Sequence, residues 1–262
     1  MILVAILLGT LTAGIGSVWL AAALSFGILA KYTQHMLSLA AGALLATAFM
    51  HLLPEAFESQ ASAHDMFAAL LVGLVFFFLL DKAELWHHGH EHGSDHGHSH
   101  AHSHDHDHSK QAKSGGWAVL AGDSVHCFGD GILIASAFMA DIRLGIVASL
   151  AVLAHEVPHH MGDLVVLRQS TGNQRAAIVK VSMAGAVTAL GGVVGYGLVD
   201  QLYDYLPFFL ILASSSFMYV ALADLIPQLQ KRVSPRETAA QIAWLMAGIA
   251  LVTLISGLAH SH

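Results

Sequence analysis

The sequence predicts an all-α integral membrane protein with eight transmembrane helices and both termini outside the cytoplasm. Three observations carry that prediction. Of the 262 residues, 55% are hydrophobic and only 11% are charged, with a mean hydropathy of +0.63, more apolar than a soluble core of this length requires. Eight predominantly apolar stretches are each close to the roughly 20 residues that a helix needs to cross a bilayer. The basic residues, finally, divide unevenly between alternate connections.

The spans are expected at residues 2–28, 36–57, 66–86, 117–140, 143–167, 176–199, 206–228 and 238–259. They are arranged as three helices over 1–86, a loop over 87–116, and five helices over 117–262, together one membrane domain. The first span lacks the short apolar core and small-residue cleavage site of a removable signal peptide, so it is expected to be retained; Gly14, Gly16 and Gly27 suit close helix packing. The second ends in His51-Leu-Leu-Pro54-Glu55-Ala56, a histidine and a carboxylate four residues apart that can line a vestibule. The loop after the third span holds eleven of the twenty histidines: His87, His88, His90, His92, His96, His98, His100, His102, His104, His106 and His108. Interleaved with Gly, Ser and Asp, they cannot build a core, and so many imidazoles on one segment suit loose, exchanging metal binding. Near the end of the seventh span, Asp224 fits either a helix terminus or a path residue, and the terminus is the favoured reading.

Ten of the eleven Lys and Arg residues lie in or beside the connections after spans one, three, five and seven: Lys31, Lys82, Lys110, Lys113, Arg168, Arg175, Lys180, Lys231, Arg232 and Arg236. Only Arg143 falls on the other side, which places the His-rich loop in the cytoplasm. The single cysteine, Cys127, excludes an intrachain disulfide.

The chemistry concentrates in the fourth and fifth spans. In the fourth, His126-Cys127-Phe128-Gly129-Asp130-Gly131 places His126 and Asp130 on one helix face. In the fifth, His155-Glu156-Val157-Pro158-His159-His160-Met161-Gly162-Asp163 repeats that spacing twice, His155 with His159 and Glu156 with His160. A charged residue at membrane depth costs roughly 2.5 to 3.5 kcal/mol on insertion scales, so such a cluster marks an ion path or a reactive centre. Pro158 leaves the carbonyl of Ala154 without its helical partner, and Gly129 and Gly131 are expected to loosen the fourth span in the same way. Two interrupted helices carrying ligands at matching depth would form a midplane site. The expected central set is His126, Asp130, His155 and His159, with Glu156 and Cys127 adjoining it. His51, Glu55, His160 and Asp163 are candidate pathway residues.

With these motifs in hand, the chain resembles the ZIP family of divalent metal-ion transporters, especially the group whose fifth span carries a His-Glu-x-Pro-His-Glu-x-Gly-Asp signature. The resemblance extends to Phe217-Met-Tyr219 and Asp224-Leu-Ile-Pro227 in the seventh span and covers nearly the whole chain. It implies a three-two-three arrangement of helices, a metal site between spans four and five, and elevator-like movement of one helical group against another. Three positions depart from the family pattern. Cys127 stands at a usual asparagine, His160 at the second glutamate of the signature, and Ala189 where some bacterial relatives have a glutamate. One dominant metal position is therefore expected.

Two other classes share parts of the pattern. His155-Glu156-x-x-His159 fits an intramembrane zinc metalloprotease with Glu156 as general base, but Pro158 strains the helix and Asp130 precedes the motif. A metal exporter of the cation-diffusion type shares the four-residue ligand spacing, yet is expected to have six spans and a soluble C-terminal metal domain. The expected substrate is Zn2+, with Fe2+, Mn2+, Cd2+ and Co2+ compatible with an imidazole and carboxylate site. The expected surroundings are a lipid bilayer, in a bacterial plasma (inner) membrane, with a homodimer left open. No nucleic-acid partner and no enzymatic activity are expected.

Overall fold

The structure is a computed structural model that describes residues 1–25, 33–89, 108–229 and 234–260. Gly27, Lys31, Lys231, Arg232 and the loop histidines from His90 to His106 lie outside the described residues, as do the side chains of His87, His88, His108 and Asp224.

The described residues form eight helical runs and no strands. Run α1 joins Ile2–Leu11 to Ser17–Ser25 through a π-helical turn at Thr12–Gly16. Run α2 joins Thr33–Thr47 to Leu53–Phe57 through a second π turn at Ala48–Leu52. Helices α3 (Ala63–Gly89), α4 (His108–Ala140), α5 (Ile142–Thr171) and α6 (Gln174–Gln201) are continuous. Run α7 passes from Leu206–Tyr219 through a π turn at Val220–Leu225 into Ile226–Leu229, and α8 is Pro235–His260. Six runs are long and apolar enough to cross a membrane; α4 and α5, which carry the ligand motifs, fall outside that set.

Local chemistry fixes the connections. Asp141 alone separates α4 from α5, and its side chain accepts from the backbone N–H of Arg143 at 2.8 Å and of Leu144 at 3.2 Å, an N-cap for α5. Gly172 ends α5 with φ +64°, the left-handed conformation that glycine adopts without a Cβ penalty. Asn173 then caps α6 through Arg175 N–H and Ala176 N–H. Ser234 and Glu237 form a reciprocal capping pair at the start of α8.

The structure corrects two expectations about interruptions. Helix α4 is unbroken at Gly129 and Gly131, because Gly131 serves packing: a Cβ there would stand on the carbonyl oxygen of Thr188 in α6. Helix α5 also runs continuously through Pro158. The irregular turns lie in α1, α2 and α7 instead. Asp224 likewise falls within the π turn of α7, followed by a further helical segment, and not at the helix end.

The helices pack in two groups. One contains α1, α4, α5 and α6; the other contains α2, α3, α7 and α8. Lipid tails are as apolar as leucine, so close helix association in a bilayer depends on small residues that let backbones approach. Gly14 meets the backbone of Gly185, Gly191 meets Phe128, and Gly145 meets the Phe138 ring, all within the first group. Gly42 faces the Leu245 carbonyl, Gly248 the Leu39 carbonyl and Gly73 Ser215, all within the second. Where the groups meet, Ala43, Ala46 and Val252 pack with Val147 of α5. The outer faces of α3 and α8 expose large apolar side chains, including Phe67, Leu71, Phe76, Leu79, Trp244 and Leu254.

Candidate metal centre

The antiparallel contact of α4 with α5 brings their ligand stripes face to face. His126 Nε2 lies 3.2 Å from Glu156 Oε1 and 3.8 Å from Asp130 Oδ2. His155 Nε2 lies 3.2 Å from both of those oxygens. Asp130, His155 and Glu156 are buried, and none of the four donor atoms has a hydrogen-bond partner among the described residues. A tetrahedral zinc with bonds of about 2.0 to 2.1 Å separates its donor atoms by about 3.4 Å, close to the spacings here. Buried polar atoms left unpaired and converging at that separation describe a cation site.

Glu156 is the hub, since its other oxygen, Oε2, lies 3.0 Å from His160 Nε2 and 3.8 Å from Cys127 Sγ. His160 Nε2 is also 3.4 Å from Asp123 Oδ1, and Cys127 Sγ is 3.6 Å from the same oxygen. A third group forms on the far side of Asp123, where His159 Nδ1 lies 3.8 Å from Asp123 Oδ1 and 3.4 Å from Asp163 Oδ2. The three groups thus share carboxylates, Glu156 between the first and second and Asp123 between the second and third.

Two of the histidines have their tautomer set from behind. The Ser17 hydroxyl donates its one hydrogen to the Gly14 carbonyl at 2.6 Å, so at 2.9 Å from His160 Nδ1 it accepts. His160 therefore carries its hydrogen on Nδ1 and presents a lone pair at Nε2 to the cluster. His155 Nδ1 donates to the Ala151 carbonyl at 3.2 Å and likewise leaves Nε2 free. Hydrogen bonds of this kind behind metal-binding histidines fix ring orientation and raise ligand basicity. The Phe217 ring of α7, almost fully buried, packs against His155 with centroids 6.5 Å apart, so the site lies where the two helical groups meet.

Of the residues expected from the sequence, His126, Asp130, His155 and Glu156 come together in the first group and Cys127 and His160 in the second. His159 turns to Asp163 and Asp123, its ring stacked on His126 at 5.5 Å. His51 is half-buried and Glu55 exposed, and neither joins a ligand group among the described residues. Sequence reasoning missed Asp123 and Ser17. Asp123 was signalled by its place four residues before Cys127, the same spacing as His126 to Asp130; nothing local marked Ser17.

The buried imidazoles, carboxylates and thiol gathered between these two helices are donors of the kind that suit a soft or borderline cation, in a chain with several helices apolar enough to cross a membrane. Residues 82–256 match the ZIP zinc transporter family, and the chain belongs to that family, one of transporters and not of enzymes. It is 27% identical to zinc transporter ZIP13 of Pongo abelii over 283 residues, covering 95% of this chain and 77% of that protein. It is 34% identical to zinc transporter ZIP10 of Danio rerio over 147 residues, 53% of this chain and 17% of that one. With zinc transporter ZIP4 of Homo sapiens it shares 33% over 141 residues, 54% of this chain and 21% of the relative. The chain thus spans about three quarters of the Pongo abelii ZIP13 but less than a quarter of these ZIP10 and ZIP4 relatives. Family membership sets aside the metalloprotease alternative.

Proposed function

We propose that the protein carries a divalent metal ion, zinc in preference, across the membrane into the cytoplasm, with the ion held between α4 and α5. The observation that supports this most directly is the convergence of His126 Nε2, Asp130 Oδ2, His155 Nε2 and Glu156 Oε1, all without hydrogen-bond partners among the described residues, in a chain of a zinc transporter family. Two carboxylates balance the charge of one dication, and two neutral imidazoles complete a four-ligand set. Fe2+, Mn2+, Cd2+ and Co2+ suit the same donors less selectively. Conduction needs ligands that exchange, and carboxylates shared between neighbouring groups provide them.

In this reading all eight runs cross the membrane, with α4 and α5 shielded by their neighbours and both termini outside. The partition of basic residues supports that orientation. An elevator-like step is supported by the packing: backbone-to-backbone glycine contacts hold each group together, while alanine and valine side chains line the contact between α5 and the α2–α8 pair. The histidines of residues 87–108 then act as a cytosolic metal buffer. The exposed apolar faces of α3 and α8 meet lipid, and a homodimer would cover part of the same surface. Uptake from outside suits a bacterial plasma (inner) membrane.

The test is zinc entry into proteoliposomes loaded with an impermeant zinc indicator. The parent protein should give saturable entry, and His155→Ala or Glu156→Gln should reduce its rate by at least about 10-fold, the scale seen when metal-site groups are removed. Entry unaffected by both substitutions would refute the assignment.

A further inference from the structure

His159 is the one residue of the expected central set that the structure leaves out of the first group, and the place it takes instead is specific. Its ring lies nearly flat against that of His126, with centroids 5.5 Å and planes 21° apart, so it stands at the edge of the site. Its Nδ1 is turned one helical turn further along α5, 3.4 Å from Asp163 Oδ2 and 3.8 Å from Asp123 Oδ1. Asp163 is buried, and its Oδ2 has no hydrogen-bond partner among the described residues. The His159 side chain is 39% exposed and has room to move, whereas those of Asp130, His155 and Glu156 are 3%, 2% and 1% exposed.

We propose that His159 is an exchangeable ligand, which joins His126, Asp130, His155 and Glu156 around the ion on capture and swings to Asp163 on release. Asp163 is then a positioning residue that competes with the metal for the ring. His155 and His159 share one face of α5, about 6 Å apart along its axis. A change of χ1 between staggered wells carries the ring from one direction to the other without moving the backbone. A neutral ring that turns its Nδ1–H to Asp163 keeps its lone pair on Nε2, the nitrogen that His126 and His155 present to the ion, so no proton has to move when the ring swings. The four donors already suit tetrahedral zinc, and zinc accepts a fifth ligand in passing, so gain and loss of His159 changes the hold on the ion without dismantling the site. Conduction requires this, because a set that only binds tightly never lets go. At 3.4 Å the contact with Asp163 is longer than a charge-assisted hydrogen bond of about 2.7 to 2.9 Å, a loose catch that the ring can leave. A plain i,i+4 surface pair would support α5 and leave ion affinity alone; the burial of Asp163 and its unpaired oxygen argue against that reading. Asp163 lies beyond His159 towards the connection that carries Arg168 and Arg175, so release is directed to the side expected to be cytoplasmic. The exchange rests on the proposed carriage of an ion between α4 and α5 and supplies its release step.

Two quantities test it on the same preparations: the zinc affinity of purified full-length protein in detergent, by competition with a chelating indicator, and the maximal rate of zinc entry into proteoliposomes. Asp163→Ala frees His159 for the ion, so zinc should bind about 3- to 10-fold tighter, the factor by which the competent fraction of the ring rises. The maximal rate should fall by a similar factor, because release is slowed. Asp163→Asn, nearly isosteric and a weaker acceptor, should do the same in smaller measure and serves where the alanine variant does not elute as a monodisperse species. Asp163→Glu, which keeps the carboxylate, should return both quantities towards the parent values. His159→Ala should weaken binding by at least about 10-fold, and in that background Asp163→Ala should no longer tighten it. A substitution that only loosens α5 lowers affinity and rate together, so opposite movement of the two is the signature of the exchange. Unchanged or weaker binding in both monodisperse Asp163→Ala and Asp163→Asn, tightening that persists without His159, or tightening with an undiminished maximal rate would each overturn it. Absence of saturable entry in the parent protein would overturn the transport reading, whereas tightening that depends on His159 would still uphold the competition of Asp163 for the ring.

Discussion

At the scale of single residues, Ser17 shows how a group outside the candidate ligand groups can prepare one of their members. It touches no metal ligand atom directly, yet its hydroxyl decides which nitrogen of His160 is free. Ser17→Ala removes the acceptor, so His160 should sample the wrong tautomer; the apparent affinity for zinc in uptake should fall about 10-fold with protein level unchanged. Ser17→Thr, which keeps the hydroxyl, should restore it. Unchanged affinity in Ser17→Ala would show that Glu156 and Asp123 alone orient the ring. The sequence showed which residues carry donors and, through four-residue spacing, which share a helix face. It put His159 in the set around His126 with Glu156 beside it, whereas the structure gathers Glu156 with His126, Asp130 and His155 and turns His159 to Asp123 and Asp163. Glu156 and His159, three residues apart on the helix, differ by about 60° in direction, and the choice depends on how α5 is rotated against α4. That rotation is a property of the packed pair.

At the scale of elements, glycine contacts hold each helical group together. Gly14 and Gly185 approach through their backbones, where a Cβ at Gly14 would meet the Gly185 carbonyl oxygen and the Thr188 hydroxyl. Nothing lies within 4 Å of a Cβ placed at Gly197 of the same group. Gly14→Leu should therefore destabilise the detergent-solubilised protein by about 1 to 3 kcal/mol, the usual cost of overpacking, and Gly197→Leu should leave thermal unfolding nearly unchanged. Equal shifts would mean that the contact between α1 and α6 does not limit stability. The helices themselves were legible because apolar length and turn residues are local signals: Asp141, Gly172 and Asn173 mark their boundaries without reference to the rest of the fold. Helix α4 starts at His108, nine residues before its expected start at 117, because helix formers such as Lys110, Gln111, Ala112 and Lys113 precede the apolar run. The π turns were not legible, since no residue type specifies them.

At the scale of the whole molecule, orientation is a separate question from packing, because the same bundle can face either way and basic residues outside the core decide. In a Cys127→Ser background, a membrane-impermeant thiol reagent applied to intact cells should label Ser62→Cys, between α2 and α3, and not Ser114→Cys, at the start of α4. Labelling only at residue 114 would reverse the direction of transport assigned above. The division into two groups could not be read from the chain, because α1 and α4 to α6 are not contiguous and the contacts that join them are made between glycines far apart in sequence, such as Gly14 and Gly185.

The π turns of α1, α2 and α7 bear on how such a chain tolerates gain and loss of residues. A turn closed by i→i+5 bonds holds one residue more than an ordinary helical turn, so each of these segments behaves as a single-residue insertion accommodated without unwinding the helix. Deleting one residue between 220 and 225 would let α7 close into a regular helix with the faces before and after the turn still aligned with their neighbours. The same deletion in the middle of α5 would swing everything beyond it by about 100° and scatter the ligands. Homologous chains that differ in length within a span should therefore place their gaps at these three turns.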